Sequence, residues 1–407
     1  MKRLARRIMM VVGTRPNFVK ISQFEKAFKQ YPGLFEYTLV HTGQHYDDNM
    51  STSFFRQLGI RKPDFQLGVK QTEPTLQTAE ILCRLQPVVR SWKPDLILSP
   101  GDVTSTLAAA LTANKMGVPF AHLESGLRSF DKSMPEEHNR LMADTLAEYH
   151  FVSEASGAVN LSKENKASAN MVFVGNTMID TLVAFDDEIL ANPILEELGL
   201  EEKGYALLTM HRPGNVDNYE GLTFLNQLID RLTRDMTVVF PVHPRTQKQL
   251  EKAGLWDLLQ ARERVVITPP KDYFGFQKLI ASSKVVLTDS GGIQEETTFR
   301  KVPCLTLRNN TERPSTIRWG TNQLVGQDFK LLDKYLEEIE EGTFKTGSIP
   351  RMWDGKSTER IVKWLYSPNR YLEFYPEEVA LPRQPEKTHL KIAKSKTRQL
   401  QHVMRVS

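Results

Sequence analysis

Short apolar runs separated by helical stretches recur along the sequence, and this alternation limits the folds open to the chain. In the first half the runs read IMMVV, YTLVHT, DLILSP, PFAHL, YHFVS and MVFVG. After residue 180 the pattern restarts with YALLTM, TVVFPV, RVVIT, KVVLTDS and CLTL. Strands that alternate with helices are typical of parallel βαβ units. The pattern predicts an α/β fold with two Rossmann-like, doubly wound domains whose ligand loops line a central cleft.

The domain boundaries are predicted from the places where the strand rhythm stops. We expect an N-terminal domain over residues 1–180 and a C-terminal domain over residues 181–380, with a linker near Asp186 to Lys203. The last helix of the second domain is expected to return to the first. Residues 381–407 hold two prolines and several lysines among few apolar positions. Such a segment buries too little apolar surface to order itself, so a basic tail that is disordered, or else weakly helical, is expected.

Composition and charge exclude several classes of protein. At 407 residues the chain exceeds what one hydrophobic core usually serves. The net charge of +4 is small for this length and gives no reason to expect nucleic-acid binding. Cys83 and Cys304 belong to no metal-binding pattern, so no metal site is expected and a reducing compartment fits. No apolar run approaches the ~20 residues of a membrane span, and IMMVV is too short for a signal sequence, so we expect a cytoplasmic protein without a membrane partner.

The segment GTRPNFVK, after the first predicted strand, is typical of an anion-binding loop. Gly13 permits a tight turn, and Pro16 suits the first turn of a helix, whose free N–H groups attract an anion. Arg15 and Lys20 add positive charge at a helix N-terminus, where cations oppose the helix dipole. An anionic ligand would remove that conflict, so a binding role for both is favoured over a role as ordinary surface cations.

The segment TDSGGIQEE, after the strand KVVL, indicates a second loop of this kind. Ser290, Gly291 and Gly292 leave room for a pyrophosphate to approach backbone N–H groups. Glu296 suits hydrogen bonds from ribose hydroxyls, whereas Glu295 is equally consistent with an acid that stabilises the helix dipole. Neither loop matches GxGxxG or GxxxxGK[ST], so NAD chemistry and ATP hydrolysis are not indicated.

Four acid/base candidates follow strands or lie in loops, where folds of this class place their chemistry. They are Asp102, Glu124, Glu136 and His211. Asp102 could instead cap a helix, and Glu136 could complete a capping box with Ser133. His211 and His243 could be ordinary loop or core histidines, and Arg313 in TERPST could meet a phosphate or form a surface ion pair. The coincidence of carboxylates in one half with histidines in the other indicates an active site.

Ten motifs in fixed order resemble those of the non-hydrolysing UDP-N-acetylglucosamine (UDP-GlcNAc) 2-epimerases, from about Met9 to about Tyr366. The motifs are GTRPNFVK, HTGQHYDDNM, SPGDVTSTLAAAL, HLESGLRS, PEEHNR, VGNTMID, TMHRPGNVD, FPVHPR, LTDSGGIQEE and NNTERPST. The resemblance implies the glycosyltransferase-B-like arrangement of two domains, UDP binding by the second domain, a UDP-sugar substrate, a homodimer and no dissociable cofactor.

The resemblance also implies roles for individual residues. The catalytic group would be Asp102, Glu124, Glu136 and His211. The UDP-sugar would be held by Arg15, Lys20, His243, Phe276, Ser290, Gly291, Gly292, Glu296 and Arg313. A second, activating UDP-GlcNAc molecule would be bound by Gln44, His45 and Arg212. Three positions depart from the family pattern: Asn17 replaces a usual Glu, Gly214 replaces a usual acid, and Asp47 stands where an amide or a longer side chain is common.

The chemistry that the resemblance implies is inversion of carbon 2 of UDP-GlcNAc, giving UDP-N-acetylmannosamine (UDP-ManNAc). The C2 proton is not next to a carbonyl, so loss of UDP from C1 must supply the electron sink, through a glycal with a C1–C2 double bond. This needs acid/base groups on both faces of the sugar and cations for the departing diphosphate. The open alternatives are a hydrolysing 2-epimerase, a UDP-sugar-dependent glycosyltransferase, a non-catalytic nucleotide-sugar sensor, and a UDP-2,3-diacetamido uronic acid sugar as substrate.

Overall fold

Two parallel β-sheets organise the computed structural model, which describes residues 5–44 and 54–367. The first has the order β3-β2-β1-β4-β5-β6-β7 and the second the order β10-β9-β8-β11-β12-β13. The strands of the first sheet are β1 (Arg6–Val12), β2 (Phe35–His41), β3 (Phe65–Gln66), β4 (Leu96–Pro100), β5 (Phe120–Leu123), β6 (Tyr149–Val152) and β7 (Met171–Phe173). Those of the second are β8 (Tyr205–Thr209), β9 (Thr237–Pro241), β10 (Val265–Thr268), β11 (Val285–Thr288), β12 (Cys304–Thr306) and β13 (Asn322–Leu324).

Helices connect the strands, as parallel pairing requires. Those up to β8 are α1 (Arg15–Ile21), α2 (Phe24–Lys29), α3 (Pro74–Trp92), α4 (Thr104–Lys115), α5 (Pro135–Leu146), α6 (Ala155–Lys163), α7 (Thr177–Ala184), α8 (Asp186–Leu190) and α9 (Ile194–Glu197). Those after β8 are α10 (Pro213–Val216), α11 (Tyr219–Leu232), α12 (Pro244–Lys252), α13 (Trp256–Gln260), α14 (Tyr273–Ser282), α15 (Gly291–Arg300), α16 (Pro314–Arg318), α17 (Phe329–Glu340) and α18 (Ser357–Tyr366). A short 3₁₀ helix covers Ser168–Asn170.

Each sheet is buried on both faces. Successive side chains of a strand point to opposite sides, and each side packs in its own apolar cluster. In β1, Ile8 and Met10 belong to one apolar cluster and Met9 to another, on the other face. In β8, Leu208 and Leu207 are divided in the same way. The α/β fold with two Rossmann-like sheets is confirmed, and all eleven predicted strands are present. We call β1–β7 with their covering helices the first lobe and β8–β13 with theirs the second lobe.

Strand order places the ligand loops. In each sheet the order reverses beside the first strand of the lobe, between β1 and β4 and between β8 and β11. Open α/β sheets bind ligands outside the carboxyl ends of the strands at such switch points. The segments that follow these four strands carry Arg15, at the start of α1, and Asp102, His211 and Ser290, in loops.

The last described helix packs against the first lobe. Apolar side chains of α18, among them Ile361 and Trp364, belong to the cluster that holds Ile8. The carboxylate of Asp180, in α7, accepts hydrogen bonds from the N–H groups of Ser357 and Thr358 at the start of α18. These bonds satisfy donors that a helix N-terminus otherwise leaves unpaired.

The proposed boundaries at residues 180 and 380 stay a prediction. The proposed linker near Asp186 to Lys203 contains the short helices α8 and α9. The basic tail over residues 381–407 lies outside the described residues. Within residues 5–44 and 54–367, no helix has the length and apolar character needed to span a bilayer.

Candidate active site

A cavity of about 390 Å³ opens at the carboxyl ends of the two sheets, with residues of both lobes in its wall. The predicted site residues that line it are Arg15, Lys20, Asp102, Glu136, Arg212, Phe276, Ser290, Gly291, Gly292, Glu296 and Arg313. Four other predicted residues, Gln44, Glu124, His211 and His243, do not line this cavity, and His45 lies outside the described residues. Most of the candidates are therefore brought together.

Asn17 closes the loop that follows β1. Its Oδ1 accepts hydrogen bonds from the N–H groups of Gly13, at 3.0 Å, and Thr14, at 3.2 Å, and its Nδ2 donates to the carbonyl of Pro100 at 3.2 Å. The side chain is 1 % exposed, so all of this bonding is internal. An amide side chain therefore suits this position, because it both donates and accepts. The loop thus accommodates Asn17 where the family usually has Glu.

Lys20 does not lie where the sequence interpretation placed it. Helix α1 has only seven residues, so Lys20 falls in its last turn and Arg15 in its first. A cation in the last turn is favoured by the helix dipole, and the supposed conflict exists only at Arg15. The guanidinium of Arg15 lies 5.7 Å from the ring centre of Phe54, within the range of a cation–π contact.

Lys20 and Glu124 form a buried ion pair, with 2.5 Å between Nζ and Oε2. Glu124 directly follows β5 and has a φ of 68°, in the left-handed region that costs energy for a residue with a side chain. Its second oxygen, Oε1, is buried without a hydrogen-bond partner among the described residues. The strained backbone and the unsatisfied acceptor both cost stability, so they indicate a functional role for Glu124.

Asp102 pairs with Arg140 of α5. Burial raises the pKa of Asp102, but the charges of Arg140, Lys20 and Arg313 outweigh it and hold the pKa below its ordinary value. Asp102 does not cap α4, whose N-cap residue is Val103. The helix-cap alternative for Asp102 was therefore wrong.

Glu136 is exposed in the cavity wall, and its side chain has no hydrogen-bond partner among the described residues. The capping box does not form, because α5 begins after Met134 and Ser133 donates to Asp131 instead, at 2.6 Å. The neighbouring Glu137 is buried and accepts hydrogen bonds from the N–H groups of Ser129 and Phe130 and from Arg140, which ties down the loop before α5.

His211 contacts Asp289, with 3.1 Å between Nδ1 and Oδ1. Asp289 is fixed in turn by the N–H groups of His211 and Arg212, at 3.0 and 2.8 Å. Donation from Nδ1 would leave Nε2 of His211 as the acceptor. His243 lies beside it, with 5.4 Å between the ring centres, and its own Nδ1 caps α12 by accepting from the N–H of Arg245 at 3.1 Å.

Acidic residues of α15 lie in its second turn rather than its first, because the helix begins at Gly291. The Nε of Arg313 is 2.9 Å from Oε2 of Glu295, so Glu295 is an ion-pair partner and does not serve the helix dipole. Burial raises the pKa of Glu296 to about 7. Arg313 is 5 % exposed and forms no surface ion pair, so that alternative was also wrong.

The structure adds residues that the sequence interpretation gave no role. Arg140 lies one helical turn after Glu136, a spacing that the motif PEEHNR shows and that could have been used. Asp289, which holds the backbone at His211, directly precedes Ser290. Glu312 also had no role in the sequence interpretation; it contacts Arg308 and Arg313, which are near it in the sequence, and Arg212 from the loop after β8.

Gln44 gives little support to a site for an activating ligand. Its Oε1 accepts hydrogen bonds from the N–H of Ser105 at 3.1 Å and from the Ser105 hydroxyl at 2.7 Å. A Cβ atom placed on Gly214 would meet nothing within 4 Å, so the start of a side chain has room there. The activator site over Gln44, His45 and Arg212 stays a prediction, and Asp47 lies outside the described residues.

Comparison with known proteins accounts for this arrangement. A family profile described as UDP-N-acetylglucosamine 2-epimerase matches residues 26–366. The chain belongs to this family. A UDP-N-acetylglucosamine 2-epimerase of Methanocaldococcus jannaschii is 36% identical over 365 residues, which cover 88% of this chain and 98% of that protein. The family member of Bacillus subtilis is 33% identical over 392 residues, 93% of this chain and 99% of that protein.

Solved structures of UDP-N-acetylglucosamine 2-epimerases share the fold. The M. jannaschii enzyme in complex with UDP-GlcNAc and UDP aligns with a TM-score of 0.81 and 36% identity, covering 88% of this chain and 99% of that one. The enzyme of Neisseria meningitidis bound to UDP-GlcNAc aligns with a TM-score of 0.77 and 28% identity. A relative of different name, UDP-2,3-diacetamido-2,3-dideoxy-D-glucuronate 2-epimerase of Pseudomonas aeruginosa, is 38% identical over 324 residues, 79% of this chain and 88% of that protein.

Proposed function

We propose that the chain is a non-hydrolysing UDP-GlcNAc 2-epimerase, which interconverts UDP-GlcNAc and UDP-ManNAc. The observation that carries the proposal is the gathering of Asp102 and Glu136 in the wall of a cavity whose other side is the N-terminus of α15 with Arg313, while Glu124, which does not line the cavity, pairs with the wall residue Lys20. Acid/base groups thus lie opposite a helix N-terminus and an arginine, both of which suit an anion. The family to which the chain belongs, and the ligands named for its solved relatives, support the same reading.

UDP is proposed to bind through its diphosphate at Ser290, Gly291 and Gly292. Helix α15 starts there, and its free N–H groups and dipole favour negative charge. Arg15 and Arg313 supply cations from the two lobes. Glu296 lies one turn further along α15 and is proposed to accept from the ribose hydroxyls.

The reaction is proposed to proceed by elimination and re-addition. A base removes the C2 proton, the electron pair forms the C1–C2 double bond, and the C1–O bond breaks with its electrons to give UDP. UDP then re-forms its bond to C1 while a proton is delivered to the opposite face of C2. No net oxidation occurs, and the groups on the enzyme need only exchange protons.

The state of each carboxylate suits part of this task. Asp102 is held ionised by Arg140, as an acceptor of a proton must be. Glu124 shares one oxygen with Lys20 and keeps Oε1 unpaired, so it can exchange a proton while its position is fixed. Glu136 reaches the cavity from α5. His211 is proposed to orient the diphosphate or to assist its departure.

A second substrate is favoured by one observation. The P. aeruginosa relative named for UDP-2,3-diacetamido-2,3-dideoxy-D-glucuronate is as similar to this chain as the relatives named for UDP-GlcNAc. A homodimer and a cytoplasmic location complete the proposal and rest on the family resemblance and on cysteine usage.

A proton NMR time course in D₂O tests the proposal. Incubation with UDP-GlcNAc should give UDP-ManNAc that carries deuterium at C2, without accumulation of free sugar. Release of UDP and free N-acetylmannosamine would instead identify a hydrolysing enzyme. A parallel reaction with UDP-2,3-diacetamido-2,3-dideoxy-D-glucuronate decides the substrate, and no conversion of either compound would contradict the proposal.

A further inference from the structure

Glu312 is a buried carboxylate held among arginines. It is 3 % exposed and follows β12, in the loop before α16. Its Oε1 is 2.5 Å from Nη1 of Arg313, and its Oε2 accepts from Nη2 of Arg308 at 2.9 Å. Nη2 of Arg212, from the loop after β8, is 3.9 Å from Oε1. Burial raises the pKa of Glu312, but these guanidinium groups outweigh it and hold the pKa far below its usual range, so the group is ionised.

The carboxylate lies against the N-terminus of α15. A Cβ atom placed on Gly291 would be 2.5 Å from Oε1 of Glu312 and 2.5 Å from Nη1 of Arg313. Glu312, Arg212 and Arg313 also line the cavity. The ion pair therefore occupies the place where cations and helix N–H groups would meet a diphosphate.

A carboxylate and a phosphate compete for the same guanidinium donors, because both accept the planar fork of arginine in similar geometry. A carboxylate beside a bound phosphate also repels it. Glu312 supplies negative charge to these arginines in the absence of a nucleotide, in addition to the pair that Arg313 forms with Glu295, since an uncompensated buried charge is strongly unfavourable. Its presence must weaken the binding of any anion that displaces it.

We propose that Glu312 is an internal competitor for the diphosphate of the nucleotide. It holds Arg313 and Arg212 in the absence of a nucleotide, yields them to the diphosphate of the UDP-sugar when it enters, and takes them back when the product UDP-sugar leaves. Glu312 thereby keeps the affinity for the diphosphate low enough for product release. This inference rests on the proposed function, because it assumes that UDP is the ligand at α15.

Calorimetry with UDP on the full-length protein tests the inference. Glu312→Gln should bind UDP about tenfold more tightly than the wild type, because one like charge is removed. Glu296→Gln, another buried glutamate in the same cavity wall, should bind UDP more weakly, because a ribose contact is lost. Tighter UDP binding by Glu312→Gln and weaker UDP binding by Glu296→Gln would separate competition from a general effect of removing negative charge. Glu164→Gln, which alters a carboxylate paired with Arg128 away from the cavity, should leave the affinity unchanged.

Glu312→Asp keeps the inference testable if Glu312→Gln does not fold. It retains the charge but is one methylene shorter and cannot reach all three guanidinium groups, so UDP should again bind more tightly than to the wild type. Wild-type affinity or weaker binding in both folded variants would overturn the role of Glu312 while leaving the nucleotide site in place. Absence of UDP binding to the wild-type protein would overturn the inference together with the proposed function.

Discussion

His122 and Asp144 form a fully buried pair behind the active site, with 2.6 Å between Nδ1 and Oδ1. The other ring nitrogen, Nε2, lies 2.7 Å from the carbonyl oxygen of Gly101, which can only accept. Burial raises the pKa of Asp144, but His122 and Arg128 hold it well below its usual range, so Asp144 accepts as well. His122 therefore bridges Asp144 and the carbonyl of Gly101, and it ties the residue before Asp102 to the strand that leads to Glu124.

Replacing His122 should separate positioning from binding. In His122→Gln the backbone before Asp102 loses a fixed contact, and small displacements of a reacting group cost up to about 100-fold in rate. Turnover should fall by about 10 to 100-fold with UDP affinity nearly unchanged, and the free energy of unfolding by about 3 kcal/mol. Steady-state kinetics, calorimetry and urea unfolding measure the three quantities. His138→Gln, on an exposed histidine, is the control, and an equal loss of affinity and turnover would argue against a positioning role.

Amide variants of the three carboxylates test the proton-transfer roles. Asp102→Asn, Glu124→Gln and Glu136→Gln keep the size of the side chain but remove its ability to carry a proton, so turnover should fall by about 10²–10⁴-fold. Affinity for UDP should change far less. A variant that is impaired only in delivering a proton back to C2 should release the glycal and free UDP, which NMR detects. Near-normal turnover in all three would count decisively against elimination.

Two adjacent glycines should differ sharply in their tolerance of alanine. A Cβ on Gly291 meets the Glu312–Arg313 pair at 2.5 Å, whereas one on Gly292 meets only the flexible end of Met178, at 3.2 Å. Gly291→Ala should therefore displace Arg313 and weaken UDP binding by about 1 to 3 kcal/mol, and Gly292→Ala by much less. Calorimetry on both variants gives the comparison, and equal losses would show that the diphosphate does not use this turn.

Glu154 should make stability depend on pH. Burial, and then the nearby charge of Glu295, raise its pKa from 4.5 to about 7. Its Oε2 is buried without a partner among the described residues. Between these pH values the folded protein holds a proton that the unfolded chain has released, so the stabilisation is complete below pH 4.5 and is lost as the pH rises through 7.

Glu154→Gln should remove that loss. Relative to the wild type, the variant should gain about 2 kcal/mol in free energy of unfolding as the pH rises from 5 to 8, because the amide never ionises. Urea unfolding at the two pH values measures the difference. Glu188→Gln, on an exposed glutamate, should show the same change in free energy of unfolding between the two pH values as the wild type. If Glu154 were ionised at both pH values, Glu154→Gln would also show the wild-type change.

The strands could be predicted because fully buried parallel strands are continuous apolar runs, as β4 and β8 are. Strands β3 and β13 were missed because they have two and three residues and polar members such as Asn322. At the site, residue types were predictable where a loop follows a strand. The partners were not, since the contact of Glu312 with Arg212 joins two loops that only the packing of β8, β11 and β12 brings together.

The return of α18 to the first lobe affects how the chain folds during synthesis. The guanidinium of Arg6, in β1, donates to the carbonyl of Leu365 at 2.9 Å, across 359 positions of sequence. At about 5–20 residues per second, β1 waits on the order of 20 s or more for this partner. The second lobe needs no such wait, because its strands all lie between Tyr205 and Leu324. The lobe that is made first is therefore the last to complete its core, and until then the apolar surface that α18 covers stays exposed.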